Sequence, residues 1–72
     1  MKVYVLVSAT YSDTSDTPEV LTTFYPDEDD ARHACSIATD DLEQEEGLST
    51  LELIEYDTRL DSKRTLVIQR FT

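Results

Sequence analysis

The sequence predicts an α+β protein: a four-stranded antiparallel sheet with one helix on one face, in the order ββαββ. Three observations predict it. Four segments are rich in β-branched and aromatic residues and largely alternate in polarity, which suits a pleated, half-buried surface. One segment places small apolar side chains at helical spacing. The breaks between segments hold the Pro, Asp, Ser and Gly residues that end elements.

Residues 1–10 read as a strand, with Val3, Val5 and Val7 alternating with Lys2, Tyr4, Leu6 and Ser8. Residues 11–18 are polar turn formers and read as a loop. Residues 19–25 resume strand character, with Val20, Thr22 and Phe24 on one face and Leu21, Thr23 and Tyr25 on the other. Pro26 lacks an N–H and ends that strand. A helix over residues 28–46 follows. Asp27 is placed to cap it, with Asp30 three residues on. Ala31, Ala34, Cys35, Ala38 and Leu42 form its narrow apolar stripe, and side chains this small let a helix pack close to a sheet. Gly47, the only glycine, sits where a helix end wants a positive φ. Residues 51–57 and 65–71 are the last strands. A phase slip between Leu53 and Ile54 predicts a bulge, and Asp61-Ser62 marks the hairpin turn between the strands.

One helix covers one face of a sheet, yet both faces carry apolar residues. Tyr4, Leu6, Leu21, Tyr25, Ile54 and Tyr56 cannot all point at it. Either some are ordinary exposed apolar surface, or they mark a second buried surface, most simply a homodimer packed sheet to sheet through the helix-free face or edge to edge.

Composition narrows the function classes. Residues 1–72 read as a single domain, at the lower end of what one core supports. Sixteen acids against six bases leave a formal charge of −10. That charge excludes autonomous binding to nucleic acid or to an anionic membrane. One cysteine excludes a disulfide framework and a multi-cysteine metal site. No basic segment precedes an apolar run, and no stretch approaches twenty apolar residues. Neither a leader nor a membrane span is expected, and a cytoplasmic setting is.

Reactive chemistry finds little support. A phosphate-cradling loop needs several glycines. Cys35 lies on the apolar stripe and His33 on nearly the opposite side of the helix, so the two do not form a nucleophile and its base. Asp27 to Asp30 and the Asp13/Asp16 pair depart from the twelve-residue calcium loop with its central glycine. No acid is flanked by a large apolar pocket that would separate carboxylate pKa values. The expectation is a non-enzymatic protein with no cofactor and no metal.

The acids are the informative feature. Residues 27–46 hold nine of them and one base, Arg32. Asp27, Glu28, Asp29 and Asp30 sit at the helix N-terminus, where the dipole favours anions. Asp40, Asp41, Glu43, Glu45 and Glu46 sit in its last turns, where the same dipole opposes them and stability alone would select Lys or Arg. Residues 59–72 carry four bases against Asp61, a net of +3, which leaves −13 on residues 1–58. Carboxylates four residues apart lie about 6 Å apart along a helix axis, of the same order as the advance of about 3.4 Å per nucleotide along each nucleic-acid strand. A row of such anions suits a Lys/Arg groove that normally tracks phosphates, which is nucleic-acid mimicry. Glu28, Asp29, Asp30, Asp40, Asp41, Glu43, Glu45 and Glu46 are the expected partner-binding residues. Two other readings stand beside this one: a solvated face, and general adaptation to a high-salt cytoplasm.

The opening KVYVLV, then Tyr11-Ser12-Asp13, an extended segment ending near Phe24 and a helix begun by Asp27 through Ala31 resemble small ββαββ proteins of phages and bacteria. The chain also resembles small acidic anti-CRISPR and anti-restriction inhibitors. That resemblance implies a DNA mimic or a plug for the basic channel of a host defence complex, and it carries no site residue over by motif. A third likeness is to small antitoxins, whose DNA-binding appendage is missing here. The expected partner is therefore a basic surface of a nucleic-acid-handling complex. The alternative is a homodimeric structural or regulatory protein whose acidity is solubilising.

Overall fold

The computed structural model describes residues 1–11, 17–44 and 47–71. Strands β1 (Lys2–Tyr11) and β2 (Glu19–Tyr25) are followed by helix α1 (Glu28–Gln44) and strands β3 (Leu48–Asp57) and β4 (Ser62–Phe71). The strands form one sheet in the order β2-β1-β3-β4, antiparallel throughout. Each hairpin thus pairs within itself, and β1 joins β3 across the middle.

The core follows from two periods meeting. Along β1 the even residues, and along β3 the odd ones, point to the helix side, as period-two alternation requires. Register sets Leu6 opposite Leu53 and Ser8 opposite Leu51. Above them α1 lays Ala31, Cys35 and Leu42, and together with Tyr4 these form the buried cluster. Ala31, Leu51 and Leu53 are fully buried; each such leucine contributes on the order of 1.5–3 kcal/mol by leaving water. The helix sits close because the stripe it presents is mostly Ala and Cys.

The helix start is capped by Asp27. Its carbonyl accepts the first helical bond, from Ala31 N–H at 3.0 Å. Its Oδ1 accepts from Asp29 N–H, also at 3.0 Å, which satisfies a donor that the helix itself leaves unpaired. Past the helix end, Gly47 has φ 112. The backbone conformation favours glycine, and a Cβ there would crowd the Tyr11 carbonyl oxygen at 3.2 Å. The final turns of the expected helix, at Glu45 and Glu46, lie outside the described residues.

The sheet corrects two details. β3 and β4 each begin three residues before their apolar patterns do. Polar Ser62, Lys63 and Arg64 pair with Asp57, Tyr56 and Glu55 through backbone bonds that hydrophobic alternation does not report. The turn is the four residues 58–61, with Asp61 at φ 48 and Ser62 already in strand. Asp57 Oδ1 holds it by accepting from Arg59 N–H at 2.9 Å and Leu60 N–H at 3.4 Å.

The irregularity at Leu53/Ile54 is real, but the extra residue is Leu66, on β4. Leu53 pairs with Val67 and Ile54 with Thr65, while the pairing of β3 with β1 runs on unbroken. Leu53 therefore faces the helix and Ile54 faces away. The apolar residues divide accordingly: Tyr4, Leu6, Leu21 and Tyr25 share the helix side, whereas Ile54 and Tyr56 lie on the open face with Val3, Val5 and Phe24. No helix among the described residues is long and apolar enough to cross a membrane.

Candidate functional site

Five of the predicted acids stand free on α1. Asp29, Asp30, Asp40, Asp41 and Glu43 are exposed, and none makes an ion pair among the described residues. The last turn of the helix contains no base, so Asp41 and Glu43 face the negative end of its dipole uncompensated. Glu45 and Glu46 fall outside the described residues.

Their arrangement differs from an even row. Asp29 and Asp30 form one pair, Asp40 and Asp41 another. Eleven residues separate the pairs, about 16 Å along the axis and close to three full turns. Asp40 therefore stands above Asp29, and Asp41 above Asp30. Between them the exposed positions are Arg32, His33, Ser36 and Ile37. Asp41 also borders a groove between α1 and β2, lined by Leu21, Thr23, Ile37 and Ala38. The groove lies where α1 approaches β2, beside the exposed Leu21 and Thr23.

Glu28 departs from the others. It is half-buried and turned toward the sheet. Its Oε2 accepts from Arg32 Nε at 2.8 Å, and its Oε1 from the Tyr4 hydroxyl at 3.5 Å. The Arg32 guanidinium holds the carboxyl below its ordinary range, and the Tyr4 hydrogen bond adds to that. The one base of the helix is thus consumed by the one acid that points inward.

A second carboxylate, Glu55, carries no sequence expectation and is buried at 8% exposure. Lys2 Nζ lies 3.5 Å from its Oε1, and Arg64 Nη2 lies 3.3 Å from its Oε2. Burial, with Glu55 and then Glu28 nearby, pushes the Tyr4 hydroxyl above its usual value. Glu28, Tyr4 and Glu55 with their three cations close one end of the helix–sheet interface. The signal for Glu55 was its phase: it continues the inward series of Leu51 and Leu53. Two flanking bases let a charge occupy that position, since a carboxylate leaves water only when paired.

The remaining reactive groups stay apart. Cys35 is buried and burial pushes its thiol up, while His33 is exposed on the other side of the helix. No group of three His, Cys, Asp or Glu suited to a metal ion occurs among the described residues. No family model matches the chain, and no curated protein or solved structure matches it.

Proposed function

We propose that the chain is a non-enzymatic inhibitor that occupies a basic, nucleic-acid-binding surface of another protein complex, using the outward face of α1. The resemblance to anti-CRISPR and anti-restriction inhibitors makes a host defence complex the kind of partner meant. One observation carries the reading: five exposed carboxylates on one helix without a counter-ion among the described residues, three of them in or beside its last turn. The fold gains nothing from acids there, because the dipole and their mutual repulsion both oppose them. A Lys/Arg groove would supply the missing cations. The separation of about 16 Å between the two aspartate pairs is close to five nucleotide steps of about 3.4 Å along a strand. The charge of −10 would also speed encounter with such a groove by long-range steering.

The test is affinity capture with a salt gradient, followed by charge reversal. A basic nucleic-acid-binding complex is expected to elute at intermediate salt. Changing Asp40, Asp41, Glu43, Glu45 and Glu46 to Lys is expected to abolish capture while the circular dichroism spectrum is unchanged. Capture that survives the reversal removes the helix as the interface. A second reading, a homodimeric structural or regulatory protein with solubilising acids, draws support from the apolar face that α1 leaves open.

A further inference from the structure

The sheet face opposite α1 is apolar and uncovered. Val3, Val5, Phe24, Ile54 and Tyr56 line a shallow depression on it with Lys63, and Ile68 stands beyond. Register joins these residues into one surface: Phe24, Val5 and Ile54 lie in a row across β2, β1 and β3, and Val3 is next to Tyr56. Phe24 is 67% exposed and Ile68 61%. A contiguous apolar surface of this kind marks an interaction site.

We infer that a second copy of the chain covers this face, two sheets packing as a sandwich with the acidic helices outermost. Charge decides for a second copy. The molecule carries −10, yet this face balances Lys63 and Arg70 against two acids: Glu52, which alternation places beside Ile54 and Ile68, and Asp61 at its edge, which accepts from the Tyr56 hydroxyl. Lys63, Arg70 and Glu52 make no ion pair among the described residues. A face with unpaired charges of both signs is self-complementary: across a two-fold axis, Arg70 of one copy meets Glu52 of the other, and the reverse. Approach through the helix face would instead bring the acid-rich helices together. Here the two helices stand more than about 20 Å apart, over two Debye lengths at physiological ionic strength. Area agrees. The ten-residue strands run along the long dimension of a molecule measuring 41 × 23 × 15 Å, and its broad face is of the order of the roughly 800 Å² per partner that stable interfaces cover.

Sedimentation equilibrium tests the inference. The chain is expected at twice its 8.2 kDa mass, dissociating on dilution. Phe24→Asp with Ile68→Asp is expected to leave a folded single chain, since both side chains are already mostly exposed. Glu52→Arg is expected to weaken association at least tenfold, and Glu52→Arg with Arg70→Glu to restore it. A wild-type chain that stays at single mass overturns the dimer. A dimer that persists in the Phe24/Ile68 variant overturns this face as its interface, and failure of the charge swap overturns the pairing. The helix reversal described above is expected to leave the dimer intact, so the two readings fail separately.

Discussion

Glu28 and Asp29 are neighbours in sequence with opposite fates, because successive helix residues point about 100° apart. Glu28 falls on the sheet side, where Tyr4 and Arg32 engage it; Asp29 points into solvent. The engagement has a titration signature. Arg32 lowers the Glu28 pKa in the folded state, so the contribution of this pair is present above the ordinary glutamate range. It is lost as pH falls through the folded value. NMR titration of the Glu28 side chain is expected to give a midpoint below that of a free glutamate. In Arg32→Gln the midpoint is expected to move up toward the ordinary value. A midpoint that does not move would mean that Arg32 is not its counter-ion in solution. Glu55 makes the complementary point about reading charge from sequence. Its burial was visible in phase with Leu51 and Leu53. Its tolerance was not, because the compensating Lys2 and Arg64 come from two other strands.

At the scale of elements, the helix was the most legible part of the chain. Ala31, Ala34, Cys35, Ala38 and Leu42 recur at its period, Asp27 caps it, and Gly47 follows it with the positive φ that its position implied. The strand β2 was equally clear between the polar loop and Pro26. What local pattern does not carry is pairing. The order β2-β1-β3-β4, the polar start of β4 and the bulge residue Leu66 are decided by register between strands distant in sequence. The acids of α1 were legible as exposed charge, and their grouping into two pairs three turns apart follows from the same helical period. Their position against the dipole has a measurable consequence for the element itself. Changing Asp40, Asp41 and Glu43 to Lys reverses an unfavourable interaction at the helix end and removes a like-charge cluster. It is expected to stabilise the fold by about 1 kcal/mol in sum, read as a higher urea midpoint. A fall in stability would mean that these carboxylates serve the fold, and the case for an outward binding role would lose its physical basis.

At the scale of the whole molecule, the charge of −10 is divided between faces. Among the described residues, the solvent side of α1 holds five acids without an ion pair, while the open sheet face holds two bases and, with Asp61 at its edge, two acids on an apolar ground. This division separates two origins of acidity that composition alone leaves together. An adaptation to salt spreads carboxylates over the entire surface and makes folding depend on dense counter-ions. A binding surface concentrates them in one place and leaves the rest of the fold indifferent to salt. The repulsions here are few and exposed, of the class whose pairwise magnitudes are a few tenths of a kcal/mol. Screening them between low and molar KCl is therefore expected to raise unfolding free energy by less than about 1 kcal/mol, as the Debye length shrinks from tens of ångströms to about 3 Å. Urea titrations at the two salt concentrations measure this directly. A gain of several kcal/mol would assign the acidity to salt adaptation. A small gain, together with partner capture that collapses over the same range of KCl, would assign it to the helix face as a competitor for cations that otherwise hold phosphates.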